Sequence, residues 1–183
     1  MPKSEERSAK YRLKHWMVDW TETILVAFFL ALVIRAFFLQ VFWIPSSSMV
    51  PTLNINDRVV VNKIAPFFRD PRRFEVIVFR LHATRWAPKR DLIKRVIGLP
   101  GETLEVKQGV VNINGQPLEE LHTMNHDYCN YGPVRIPDDS YFVMGDNRPA
   151  SADSRYFGFL PRNDLIGPAL FKIWPISQFS LVR

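Results

Sequence analysis

The stretch LIKRVI at residues 92–97 is the clearest indication of the fold class of this chain. Its aliphatic and β-branched residues are typical of a strand. Because side chains in a strand alternate between two faces, Lys94 shares a face with Leu92 and Val96, whereas Arg95 points the other way. Aliphatic neighbours exclude water from the ammonium group, so we expect the pKa of Lys94 to be lowered.

Short strand-like runs recur along the chain on both sides of this stretch. They are Arg58–Ile64, Glu75–Arg80, Thr103–Lys107, Val110–Asn114, Ser140–Met144 and Ala169–Trp174. Asn114-Gly115 is typical of a two-residue hairpin turn, because both central residues of a type I′ turn need a positive φ. We therefore predict an all-β domain, an antiparallel and barrel-like coil of short strands, behind one N-terminal transmembrane helix.

An apolar segment near the N-terminus predicts a transmembrane anchor over residues 20–42. A cleaved secretory signal would need small residues after the apolar run, where bulky phenylalanines stand instead. A buried core helix is disfavoured because the run is apolar on every face. Basic residues precede the run, so residues 1–19 are predicted to be cytoplasmic and residues 43–183 extracytoplasmic. Membrane lipid is an expected partner, in a plasma (inner) membrane or an internal one such as a thylakoid.

The composition argues against several other classes of protein. The formal net charge is +6, but the chain has no finger spacing and no Arg-rich helix pattern, so no nucleic-acid partner is predicted. The single cysteine, Cys129, is interpreted as a half-buried small side chain. None of the four histidines, His15, His82, His122 and His126, stands in a motif that would hold a catalytic base. No third ligand accompanies His122 and His126, so neither a metal nor a cofactor is predicted.

The segment APFFRDPRRF at residues 65–74 mixes phenylalanines with arginines. Two interpretations of this segment remain open. Close to a membrane, the phenylalanines would dip into the lipid interface. Alternatively, the segment is an ordinary loop whose phenylalanines fold back into the core.

Four blocks along the chain carry candidate chemistry. They are IPSSSMVPTL at residues 44–53, DRVVV at residues 57–61, IKRVIGLPGE at residues 93–102, and GDNR at residues 145–148 leading to SADSR at residues 151–155. In this order behind an N-terminal apolar segment, they closely resemble the bacterial type I signal (leader) peptidases. The resemblance extends from the anchor to Leu165. It implies a membrane-bound serine endopeptidase that cuts the signal peptides of exported preproteins.

The resemblance implies a role for each of four polar side chains. Ser48 is implied to be the nucleophile and Lys94 the general base, since a serine hydroxyl needs an adjacent base and a lysine is a base only when neutral. Ser46 resembles the side-chain donor of the oxyanion hole, beside the backbone N–H of Ser48. Ser151 resembles the serine that hydrogen-bonds the lysine amine and orients it.

Charged residues near these groups are implied to be structural. Asp153 and Arg155 resemble an ion pair close to the site, and Asp146 is expected to pair with Arg95. The chain departs from the commonest family pattern at Pro149-Ala150, where an acidic-polar pair is frequent.

The resemblance also implies how a signal peptide would bind. The segments flanking an extended substrate would be Phe42–Pro45 and Asp91–Ile93, by strand-like backbone pairing. The pocket for the residue just before the cut would be formed by Ile44, Met49, Leu53, Leu92 and Ile93. The pocket two residues further back would be lined by Phe42, Val59 and Val78. Shallow apolar pockets accept alanine-sized side chains, in agreement with the small-x-small cleavage pattern of secretory signals.

Two alternative functions remain open at this point. One is a related Ser/Lys processing protease with a narrow client, or a self-cleaving relative of the SOS-type repressor proteases. The repressor hypothesis is disfavoured because no DNA-binding helix pair precedes the β domain. The other alternative is a non-enzymatic, membrane-anchored β module. The sequence leaves the oligomeric state open.

Overall fold

The computed structural model describes residue 16 and residues 20–33, 38–82, 89–123 and 127–182. The chain separates into two units, Met1–Phe38 and Leu39–Arg183. In the first unit, residues 20–33 are helical (α1), and apolar side chains such as Phe28 and Phe29 are exposed. No helix within the described residues is both long and apolar enough to cross a bilayer, so the transmembrane anchor stays a prediction. Most of the basic N-terminal segment lies outside the described residues.

The second unit is built from antiparallel β-strands. Within the described residues these are β1 (Leu39–Trp43), β2 (Arg58–Asn62), β3 (Val76–Leu81), β4 (Arg90–Gly98), β5 (Thr103–Lys107), β6 (Val110–Ile113), β7 (Gln116–Pro117), β8 (Tyr131–Arg135), β9 (Ser140–Met144), β10 (Leu160–Pro161), β11 (Leu165–Trp174) and β12 (Ser180–Leu181). The larger sheet has the order β1-β2-β11-β3-β4-β9-β10, with β12 paired to β11, and the smaller has the order β7-β6-β5-β8. Short helices α2 (Ala65–Phe68) and α3 (Ser154–Phe157) and 3-10 turns at Arg148–Ala150, Arg162–Asp164 and Ile176–Gln178 complete the unit.

Alternating apolar side chains build the core of this unit. Val59 and Val61 of β2 are fully buried, while the residues on either side of each are more exposed. Strand β4 differs, because it lies between β3 and β9 and is buried on both faces over most of its length. Neighbouring residues in a strand point to opposite faces. The central position of β4 therefore buries Lys94 and Arg95 on opposite sides of the sheet.

The predicted all-β antiparallel fold is confirmed, and each predicted strand segment overlaps an observed strand. Asn114 and Gly115 have φ values of 51° and 80° and connect β6 to β7, as the hairpin prediction requires. The division of the strands between two sheets was not predicted.

The prediction that the anchor helix continues to residue 42 is wrong for its last residues. Leu39–Trp43 form β1, which pairs with β2 in a register that sets Leu39 opposite Asn62 and Trp43 opposite Arg58. Phe42 packs against the core beneath the larger sheet. Hydropathy alone does not distinguish a short apolar strand from the end of an apolar helix, because both are runs of apolar residues.

Candidate active site

Ser48 lies in a tight turn that follows β1, with 5% of the residue exposed. Asn147 holds this turn in place: its backbone N–H donates to Ser48 O at 3.1 Å and its side-chain amide donates to Ser47 O at 3.2 Å. The N–H of Ile44 donates to Asp57 O at 2.9 Å, which joins the start of the turn to the segment before β2. The Ser48 hydroxyl therefore has a defined position in the protein interior.

Lys94 reaches the Ser48 hydroxyl from β4. Its Nζ donates to Ser48 Oγ at 2.7 Å and to the carbonyl oxygen of the preceding residue at 2.9 Å, and only 3% of Lys94 is exposed. Burial lowers the pKa of Lys94 from 10.5 to about 8; the carboxylates of Asp153 and Asp146 oppose this shift and the charge of Arg90 adds to it. An amine that becomes neutral near pH 8 and lies this close to a serine hydroxyl can accept its proton.

Arg95, on the opposite face of β4, forms the predicted ion pair with Asp146. Its Nε and Nη2 donate to the two carboxylate oxygens at 2.8 Å and 2.7 Å, and its Nη1 donates to Phe74 O at 2.7 Å. The hydroxyl of Thr52 donates to Asp146 at 2.5 Å. A bidentate, buried pair of this kind has little freedom to rearrange. It ties β4 to the end of β9, where the Gly-Asp-Asn-Arg block begins.

Asp153 and Arg155 also form their predicted ion pair, with Nε–Oδ1 and Nη2–Oδ2 distances of 2.8 Å and 2.9 Å. Asp153 accepts the N–H of Gly145 at 3.1 Å and caps α3 by accepting the N–H of Arg155. Arg155 donates in addition to Asp127 and, at 3.3 Å, to Cys129 Sγ. Burial is the largest single influence on Arg155 and lowers its pKa, but the hydrogen bonds and charge of Asp153, together with hydrogen bonds to Cys129 and Asp127, outweigh burial and raise the pKa. The pair therefore holds the loop after β9 against the segment before β8.

The two other predicted serines differ in their placement. Ser46 Oγ lies 3.4 Å from Ser48 Oγ, so its hydroxyl reaches the surroundings of the nucleophile. Ser151 is buried, but its hydroxyl makes no hydrogen bond to any described residue. The bond from Ser151 to the lysine amine that the resemblance implies is therefore absent. Lys94 directs its amine to Ser48 and to a backbone carbonyl instead, and Ser151 packs against Gly145.

A small cleft of about 50 Å³ opens beside the Lys94 amine. Seven of the predicted substrate-binding residues line it: Phe42, Ile44, Pro45, Val78, Asp91, Leu92 and Ile93. The other three, Met49, Leu53 and Val59, are completely buried and pack behind it in the same apolar cluster as Ile44 and Ile93. Trp43 and Ser46 complete the lining. Trp43 lies within the segment Phe42–Pro45 that was predicted to flank the substrate, but the sequence assigned its side chain to neither pocket.

The histidines that the structure describes lie apart from the Ser48 hydroxyl. The imidazole of His82 is largely exposed and pairs with Asp164 at 2.7 Å. His122 lies beside the ring of Phe74, and His15 and His126 are outside the described residues. Within the described chain, the side-chain partners of the Ser48 hydroxyl are Lys94 and Ser46.

An antiparallel β fold that buries a serine hydroxyl against a lysine amine has the chemistry expected of a serine peptidase. The comparison with known proteins agrees: the family model described as "Signal peptidase, peptidase S26" matches residues 17–174. This chain belongs to the signal peptidase family, peptidase S26, and is a serine peptidase. The resemblance found in the sequence is thereby confirmed.

Individual relatives span most of the chain. It is 41% identical to "Signal peptidase I" of Leptolyngbya laminosa, over 98% of this chain and 90% of the relative. It is 45% identical to "Probable signal peptidase I-2" of a Synechocystis strain, over 89% of this chain and 77% of the relative. A crystal structure of a signal peptidase I from Enterococcus faecalis is 34% identical and aligns with a TM-score of 0.45, covering 55% of this chain and 97% of that structure.

Proposed function

We propose that this chain is a membrane-anchored endopeptidase that removes N-terminal signal peptides from exported preproteins after small-x-small sites. One observation carries the catalytic assignment: Lys94 Nζ lies 2.7 Å from Ser48 Oγ, and both groups are buried. Family membership and the names of the relatives support the substrate class.

The proposed mechanism is acyl transfer by the Ser48 and Lys94 pair. The neutral Lys94 amine takes the proton of the Ser48 hydroxyl while Oγ attacks the carbonyl carbon of the scissile bond. The resulting oxyanion accepts hydrogen bonds from the Ser46 hydroxyl and the backbone N–H of Ser48. The Lys94 ammonium then protonates the departing amine, which leaves an ester on Ser48. Lys94 next takes a proton from water, whose oxygen attacks that ester. The Lys94 ammonium gives this proton to Ser48 Oγ as the ester bond breaks, which releases the signal peptide and restores the serine.

The backbone of β4 supports the proposed mode of substrate binding. Residues 90–95 pair with β3, whereas pairing with β9 begins only at Arg95. Among the described strands, no other pairs with residues 90–94, so this part of β4 has one open backbone edge beside Lys94. An extended peptide can pair with such an edge. The cleft of about 50 Å³ between Ile44 and Leu92 suits the side chain of a small residue before the cut.

The proposed topology follows the order of segments along the chain. The apolar segment around α1, with its exposed apolar side chains, would span the membrane. The basic N-terminal residues would stay in the cytoplasm, and the β unit would follow on the opposite side. The turn that carries Ser48 comes directly after β1, so the nucleophile would work close to the membrane surface, where signal peptides leave the bilayer.

The test is cleavage of a model preprotein in detergent by wild type, Ser48→Ala and Lys94→Ala. Both variants are expected to lose at least about 10⁴-fold in kcat, as for other members of a nucleophile–base unit. Ser140→Ala is the matched control, because it alters another buried serine, at the start of β9. Substantial activity in either site variant would refute the assignment. Cleavage of several unrelated preproteins would separate general processing from a dedicated client.

A further inference from the structure

A second and larger cleft, of about 460 Å³, lies between the start of β1, α2 and the end of β3. Three of its lining residues are basic: Lys63, Arg80 and Arg162. Gln40 and Phe67 also line it, and no described carboxylate does. The cleft therefore presents cationic and hydrogen-bond-donating groups beside an aromatic side chain.

Arg80 keeps unused hydrogen-bond donors in this cleft, whereas Arg162 is held there by several partners. Arg80 donates through Nε to Asp91 at 3.1 Å, and within the described chain its two terminal nitrogens make no hydrogen bond. Arg162 donates through Nε to Asp70 at 2.7 Å and through Nη2 to Pro66 O at 3.1 Å, and its side chain also interacts with the hydroxyl of Tyr141. The arginine side chains are 46% and 41% exposed, so these ion pairs are in contact with water and are weak. The planar guanidinium group matches the oxygens of a phosphate.

Two phenylalanines project beside the cleft from α2. Phe67 and Phe68 are each 83% exposed, so the interpretation in which the phenylalanines of this segment fold back into the core is wrong for these two. It is correct for Phe74, which packs against a core cluster. The turn before α2 is well defined, because Asn62 Oδ1 accepts the N–H groups of Ile64 and Ala65 at 3.0 Å and 3.2 Å. The exposure of Phe67 and Phe68 therefore occurs on a helix whose start is fixed by hydrogen bonds. Among the described residues, neither ring has a protein partner.

We propose that this cleft binds the phosphate group of an anionic phospholipid, while Phe67 and Phe68 enter the lipid interface. Basic groups that hold the phosphate beside exposed aromatic rings suit the boundary between head groups and acyl chains. The inference rests on the proposed membrane attachment. Gln40 is the second residue of β1, so the cleft lies at the N-terminal end of β1. This end of β1 directly follows the proposed anchor in the sequence.

Native mass spectrometry of the full chain in a nonionic detergent, titrated with phosphatidylglycerol, tests this site. The variant Lys63→Gln/Arg162→Gln is expected to bind the lipid about 30-fold more weakly than wild type, since each of the two basic groups contributes about 1 kcal/mol near an anionic surface and about 1.4 kcal/mol is tenfold in affinity. The matched control is Lys107→Gln/Arg135→Gln, which removes the same charge from exposed positions of the smaller sheet and is expected to leave binding unchanged. Phe67→Ser/Phe68→Ser should weaken binding, whereas Leu121→Ser/Tyr128→Ser, at other exposed apolar positions, should not.

Equal affinities of the cleft variant and the charge-matched control would overturn the proposal. So would equally tight binding of phosphatidylcholine, or full displacement of phosphatidylglycerol by inorganic phosphate at equal concentration, which would indicate a free-phosphate site. Preprotein cleavage is measured on the same samples. If the cleft variant loses lipid affinity but cleaves preprotein at the wild-type rate, the lipid site is supported independently of catalysis. If the wild type binds lipid but cleaves no preprotein, the proposed function is refuted while the lipid site still stands.

Discussion

At the Lys94 amine, burial and neighbouring charges act in opposite directions. Removal from water disfavours the ammonium form, whereas the carboxylates of Asp153 and Asp146 favour it. Both carboxylates are engaged by arginines, so their pull on the amine is partly neutralised. Burial prevails, and the pKa falls to about 8. The two ion pairs thus hold the site together while allowing the base to deprotonate near neutral pH.

The rate of cleavage should follow the deprotonation of Lys94. With a pKa of about 8, roughly one-tenth of the amine is neutral at pH 7 and half at pH 8, so kcat/KM should rise about fivefold between them and level off above pH 9. Because the positive charge of Arg90 lowers this pKa, Arg90→Gln should move the midpoint to higher pH, and the exposed Arg135→Gln should not. The measurement is a pH–rate profile on a peptide that does not titrate between pH 6 and 10. A flat profile would contradict Lys94 as the base.

Some of the site residues could be predicted from the sequence and others could not. The alternation in β4 was sufficient to set Lys94 and Arg95 on opposite faces, because a strand has a fixed period of two residues. Whether Ser151 bonds the lysine depends on a loop conformation that no periodicity specifies. Asn147 holds the turn that carries Ser48 through two hydrogen-bond donors. Its role could not be predicted, because the two segments in contact lie about a hundred residues apart in the sequence.

At the scale of secondary-structure elements, the loop after β9 packs directly on the turn that carries the nucleophile. Gly145 makes this approach possible: a Cβ at this position would lie 2.5 Å from Ser48 O and 2.3 Å from Ser151 Oγ. Such distances require the backbone to shift, because Ser48 O also accepts the N–H of Asn147. The glycine therefore sets the position of Ser48 relative to β4.

Replacing Gly145 by alanine should impair catalysis more than stability. A displacement of the turn by a fraction of an ångström would lengthen the distance from Ser48 to Lys94, and kcat should fall by about 100-fold with little change in KM. Gly115→Ala is the control, since its φ of +80° is strained for alanine but no atom lies within 4 Å of the new Cβ. This control should lose about 1 kcal/mol of stability and keep its kcat. Similar kcat values for the two variants would show that the contact at Gly145 does not position the nucleophile.

The elements themselves were predictable where their sequence periodicity is strong. β2 and β5 alternate buried and more exposed residues, and the turn at Asn114-Gly115 needs positive φ values that few residues adopt. β1 was missed because its apolar residues continue the apolar run before it. β8 contains both a glycine and a proline, which local propensity disfavours in strands, and it forms through pairing with β5. Pairing between distant segments prevailed over local preference in both strands.

At the scale of the whole molecule, a buried amine lowers the stability of the fold. The unfolded chain keeps a lysine pKa near 10.5, whereas the folded chain holds Lys94 at about 8. Between these values the unfolded state binds a proton that the folded state lacks, so stability rises with pH through this window and is lowest below pH 8. The position of the base therefore opposes folding at neutral pH.

The variant Lys94→Met should reveal this cost as a difference that depends on pH. The unfolding free energy of the variant relative to wild type should fall by about 3 kcal/mol between pH 7 and pH 10.5, since one pKa unit corresponds to about 1.4 kcal/mol. Other groups titrate in both proteins and cancel in the comparison. Urea unfolding at several pH values provides the measurement. A difference that does not change with pH would mean that Lys94 has an ordinary pKa in the folded protein.

The open edge of β4 has a consequence for how copies of this protein behave in a crowded solution. Unpaired strand backbone is a template for strands of other chains and thus for aggregation. Here the edge covers only residues 90–94 and begins with Arg90 and Asp91, whose charges disfavour pairing with an apolar strand. A short and charged edge resists permanent stacking and still accepts a single extended peptide for as long as the reaction lasts. The short, charged edge that is proposed to bind the substrate peptide thus also disfavours self-association of the protein.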